Sequence, residues 1–87
     1  MKQVIWWISF VDPDRPKGQR FLGCIVTRGG EEMGEVLQQL HDNGINPGGE
    51  ALGHVFDKDT PVPDSYMDRL LSRPECETLD ALIQRKN

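Results

Sequence analysis

Thr27-Arg28-Gly29-Gly30 gathers the side chains and backbone of this sequence best suited to binding chemistry. Two glycines ahead of a helical stretch offer accessible N–H groups, the helix start adds the positive end of a dipole, and Arg28 adds a permanent charge. Such a strand–glycine loop–helix arrangement grips phosphate. No Ser, Thr, Asp or Asn stands where a cap would consume those donors. Glu31 and Glu32 act against it, because they complement the dipole themselves and repel an anion. Neither GxGxxG nor GxxxxGK[ST] is present, so a plain helix start competes with an anion site.

Trp6 and Trp7 form the second notable group. Adjacent residues of a strand face opposite ways, so one indole belongs to a core. The other, taken as Trp7, packs under a helix, stacks on a ligand or enters a subunit interface. The catalytic inventory is poor. His41 falls on the polar side of a helix, and His54 reads as a core or edge histidine of a strand. Cys24 and Cys76 lack CxxC or zinc-ligand spacing, and Cys24 sits in an apolar run as a packed thiol. No Ser/His/Asp order or diagnostic carboxylate pair appears. The expectation is a non-enzyme without metal or cofactor.

The elements that must position these residues are legible in the apolar pattern. Val4 to Val11 (VIWWISFV) is apolar on both alternating faces and reads as a central strand covered twice. Arg20 to Thr27 is a second strand, antiparallel to the first, with Gly23 marking a bulge or a close approach. Glu31 to Asn43 is a helix, with Met33, Val36, Leu37 and Leu40 in one stripe. Asn43 as C-cap, Gly44 at C′ and Ile45 touching Leu40 predict a Schellman ending. NGINPGGE is thereby an αβ connection rather than a phosphate cradle. Glu50 to Phe56 is a third strand, set parallel to the second by a right-handed crossover. Asp64 or Ser65 caps a short helix through Leu71. Ser72-Arg73-Pro74-Glu75 is a capping box for a last helix with Cys76, Leu79, Leu82 and Ile83 inward and Arg85-Lys86 at its end. The order β-β-α-β-α-α describes an α+β fold: helices packed on a small mixed three-stranded sheet.

That topology names one site. If strands two and three run parallel, Asp57-Lys58 lies at the same sheet end as Arg28-Gly29, and Lys2 at the start of strand one lies there too. Lys2, Thr27, Arg28, Gly29, Gly30 and Lys58 would then bind an anion at the carboxyl end of the parallel strands, with Trp7 stacking on a base.

The 87 residues carry a net charge of −4, which opposes binding to duplex nucleic acid because that requires a basic stripe. They amount to a single domain, 1–87, whose thin core favours a homo-oligomer. The eight-residue apolar start is too short to cross a membrane and is followed by no cleavage site. With two unpaired thiols, the reading is a soluble cytoplasmic protein.

The segments WWISFVD, RFLGCIV, GINPGGE and RLLSRPE together resemble a set of short bacterial and phage proteins with no assigned activity. The resemblance implies a small accessory protein, in a phage an anti-defence factor. Two functions are then expected in competition. One is an oligomer that sequesters a small nucleotide-like anion. The other is an inhibitor or adaptor that meets a host protein through an acidic surface and a Trp/Phe patch.

Overall fold

A computed structural model describes residues 3–84. Four strands, two helices and one 3-10 turn follow in the order β1 (Val4–Val11), β2 (Phe21–Gly29), α1 (Met33–Asp42), β3 (Glu50–Phe56), the turn Asp64–Tyr66, β4 (Leu70–Leu71) and α2 (Arg73–Gln84). The fold is α+β, as the sequence indicates, but the sheet is four-stranded, ordered β3-β1-β2-β4, with every neighbouring strand antiparallel.

The alternation of β1 dictates the layers. Val4, Trp6, Ile8 and Phe10 join Val36 and Leu40 of α1 in one core cluster. Ile5 joins Cys24, Val26, Leu71 and the Cys76, Leu79 and Ile83 stripe of α2 in the other. A strand apolar on both faces thus feeds both clusters, with Val4, Trp6, Ile8 and Phe10 buried on one side and Ile5 on the other.

The expected mixed three-stranded sheet is corrected by β3. It runs in the same direction as β2, but β1 lies between them, so no parallel ladder forms. The far edge of β2 is already occupied by Met67 and by β4, which leaves the free edge of β1 for β3. The helix expected from Asp64 or Ser65 through Leu71 is corrected as well. Asp68 adopts φ 57, which no right-handed helix accommodates. Its N–H donates to the Val26 carbonyl at 2.8 Å, pinning the chain against β2 and turning Leu70–Leu71 into an edge strand.

The helix ends follow local rules. Ile45 N–H donates to the Leu40 carbonyl at 3.1 Å and Gly44 N–H to the His41 carbonyl at 3.0 Å, with Gly44 at φ 73. This is the Schellman pair, and Ile45 packs on the α1 cluster. At α2, the Ser72 N–H donates to Glu75 Oε1 at 3.0 Å, and the Glu75 N–H points back at Ser72 Oγ at 3.4 Å. Arg69 donates to the second Glu75 oxygen at 2.6 Å. These contacts, Arg69 foremost, lower the Glu75 carboxyl to about 2.

Gly23 meets both expectations at once. The β1–β2 register slips at this point, where Leu22 is the extra residue, and Gly23 takes φ 128. A Cβ there would lie 2.5 Å from the Leu71 carbonyl oxygen. The two expected free thiols are also corrected: Cys24 and Cys76 form a disulfide joining β2 to α2, with Cα atoms 6.6 Å apart. Both residues are buried in one cluster, and with their thiols joined, the thiol argument for a reducing compartment falls away. Among the described residues no helix is long and apolar enough to cross a membrane.

Candidate functional site

The common direction of β2 and β3 brings their carboxyl ends to one end of the sheet. An open cleft of about 940 Å³ lies there, lined by Gln3, Val4, Gly30, Val55, Phe56, Asp57, Lys58 and Asp59. Gly30 and Lys58 therefore meet where the strand directions placed them. The remaining expected residues do not complete a cradle.

Thr27 is buried, and its hydroxyl donates to Asp68 Oδ1 at 2.6 Å, so it fastens β2 to the turn before β4. Gly29 is small for a packing reason: a Cβ would stand 2.8 Å from Val36 Cγ2 of α1. The Gly30 carbonyl accepts a 2.7 Å hydrogen bond from Trp6 Nε1. Arg28 is exposed, in register with Ile5 on the α2 side, and lies outside the cleft lining. Lys2 lies outside the described residues. Lys58 is flanked in the cleft by Asp57 and Asp59, and the Asp59 N–H donates to Asp57 Oδ1 at 2.9 Å within a turn. One cation between two carboxylates gives the lining a net negative charge, which disfavours an anion. α1 starts at Met33 after an extended Glu32 that makes no side-chain cap bond, so its first N–H groups lack such a partner, yet Glu31, Glu32 and Glu35 crowd them.

The tryptophans separate as alternation requires. Trp6 belongs to the α1 core. Trp7 is half-buried on the α2 side, donates to Ser9 Oγ at 3.2 Å, and takes no part in the sheet-end cleft. Instead it floors a second cleft of about 240 Å³ with Ser9, Phe21, Arg73, Glu77 and Asp80. That cleft opens along a surface that sequence reasoning missed. α2 packs over β2, and the connector from Asp57 to Asp68 places Val62, Tyr66 and Met67 on the same cluster. On the β1–β3 half of this face, Ile5 is buried and Phe56 half-buried, while the part toward Ser9 and Leu52 is left open. On it, Leu52 is 62% exposed, His54 is exposed, and Trp7 and Ser9 are half-covered. The charges nearest it are Glu77, Asp80 and Arg73 on α2 and Glu50 at the start of β3, acidic on balance. Arg73 stands over the Phe21 ring at 5.0 Å, a cation–π contact at the α2 wall.

The signal for this surface was present in EALGHVF, where Leu52, His54 and Phe56 alternate onto one face. What covers that face depends on where a distant helix lands. Among the described residues, no group of three His, Cys, Asp or Glu side chains is arranged to hold a metal ion. No protein-family model, curated protein or solved structure matches the chain.

Proposed function

We propose that the chain is a non-enzymatic protein-binding module of the inhibitor or adaptor kind. Its working surface is the open part of the β1–β3 face on the α2 side, around Trp7, Ser9, Leu52 and His54. The observation that carries this reading is the exposure of Leu52, opposite Ser9 and diagonal to Trp7, in a domain with little apolar surface to spare. An aromatic anchor in a shallow cleft, an aliphatic neighbour and a charged rim match the usual anatomy of a protein contact. The partner is a protein segment with apolar side chains and a basic flank, because Glu50, Glu77 and Asp80 set the sign of the rim.

Affinity capture with variants tests the reading. A specific protein retained by the parent and by Lys58→Ala, and lost by Leu52→Asp and Trp7→Ala, supports it. Equal retention by Leu52→Asp overturns it. Because Leu52 is exposed, that substitution leaves the fold intact.

A second reading, sequestration of a nucleotide-like anion, draws support from Gly30 and Lys58 meeting in the sheet-end cleft. Saturating ligand raises stability, so a thermal-shift panel of mono- and cyclic nucleotides at millimolar concentration separates the two. The acidic lining favours no shift.

A further inference from the structure

The two edges of the sheet are finished differently. β4 ends one side with a strand of only two residues, too short to template another chain. β3 ends the other with seven residues whose outer backbone groups face no strand among the described residues. The usual safeguards are missing there. Residues 51–55 contain no proline and no charge, and the β1–β3 register runs unbroken from Val11↔Glu50 to Ile5↔Phe56. Leu52 is 62% and Val55 51% exposed, one on each face.

We propose that β3 pairs antiparallel with β3 of a second copy, about a two-fold axis at His54, to form a continuous eight-stranded sheet. The strand is complementary to itself in that register. Glu50 opens the strand and Lys58 sits in the turn just past its end, four positions either side of His54, so this register brings each Glu50 to the turn that carries Lys58 of the other copy. Leu52 then faces Phe56 on the α2 side, and Gly53 faces Val55 on the α1 side, since opposed residues share a face. A register centred on Gly53 instead sets Glu50 against Phe56 and leaves Lys58 against Gly48. Among the described residues neither Glu50 nor Lys58 has an ion-pair partner within the chain. Strand addition completes the backbone bonds of both edges and gives Leu52 and Val55 cross-strand neighbours while leaving the sheet faces open. Isologous pairing closes, so it yields a dimer rather than a fibre. The proposal concerns the outer edge of β3 and does not rest on the partner assigned to its face.

Cysteine cross-linking reads the register directly. Residues opposed across an antiparallel pair have Cα atoms about 4.5–5.5 Å apart, within disulfide range. Two copies of residue 52 would be separated by about 14 Å along the strands. Under mild oxidation, His54→Cys should cross-link at least tenfold faster than Leu52→Cys. A mixture of Leu52→Cys and His54→Cys joining to each other at the faster rate would overturn the His54 axis. In sedimentation, Glu50→Lys should weaken the dimer by roughly tenfold, because two opposite-charge pairs become like-charge pairs. Glu50→Lys with Lys58→Glu should restore it. A chain that stays monomeric at 100 µM and forms no His54→Cys cross-link above a denatured control overturns the proposal, leaving β3 open to a different partner.

Discussion

Two glycine-to-alanine substitutions should move stability in opposite directions. At Gly23, alanine meets two obstacles at once. The residue sits at φ 128, where side chains are strained, and the new methyl would stand 2.5 Å from the Leu71 carbonyl oxygen and 2.9 Å from Leu70 Cδ1. Backbone strain of this kind costs about 1–3 kcal/mol, and overpacking against neighbours that cannot yield costs about 1–3 kcal/mol more. The total, about 2–6 kcal/mol, is a large part of the ~4–13 kcal/mol that a domain this size commands. Gly34 is helical and exposed, with nothing within 4 Å of a Cβ. Alanine there should stabilise by about 0.5–1 kcal/mol. Equilibrium urea unfolding, followed by tryptophan fluorescence and far-UV circular dichroism, measures both. Gly23→Ala should lower the midpoint by about 1 M or more at a typical slope; Gly34→Ala should raise it slightly. A Gly23→Ala chain within 0.5 kcal/mol of the parent would refute the bulge and the β2–β4 approach.

Three further outcomes follow from the same contacts. Reducing the Cys24–Cys76 bond, whose sequence separation is 52, should cost about 4 kcal/mol on the chain-entropy model and lower Tm by roughly 15 °C or more; unchanged melting with reductant would contradict it. Glu75 titrates at about 2 when folded and near 4.5 when free, so its stabilisation is complete above pH 4.5 and lost as pH falls toward 2. Glu75→Gln should accordingly flatten that acid limb of Tm. Thr27→Val removes the hydroxyl bonded to Asp68 and should lower unfolding free energy by about 1–2 kcal/mol, without altering ligand or partner binding by titration.

What the sequence revealed and what it withheld divide by range. Gly44 and Ile45 end α1 as read, and Ser72 with Glu75 starts α2 as read, because caps depend on neighbours three to five residues away. The double-sided apolarity of β1 told of two covering layers, and the directions of β2 and β3 located the cleft holding Gly30 and Lys58. The identity of β3's neighbour was hidden, since it turns on Leu70–Leu71, a strand too short to show alternation. Thr27 and Gly29 looked like ligand residues because their partners, Asp68 and Val36, are distant or lie on the facing helix. The Cys24–Cys76 pairing joins residues that no local spacing connects. Alternation separated Trp6 from Trp7 but could not say which part of a face would be left bare.

Trp7 offers the most direct test of that bare part of the face. The chain has two tryptophans, and Trp6 is buried with its indole N–H held by Gly30, so a Trp6→Phe chain reports on Trp7 alone. Acrylamide quenching of Trp7 should be appreciable in the free protein and fall sharply when the captured partner binds, with a blue-shifted emission. Quenching that stays unchanged in a complex formed by that variant would contradict the assignment of the β1–β3 face as the working surface.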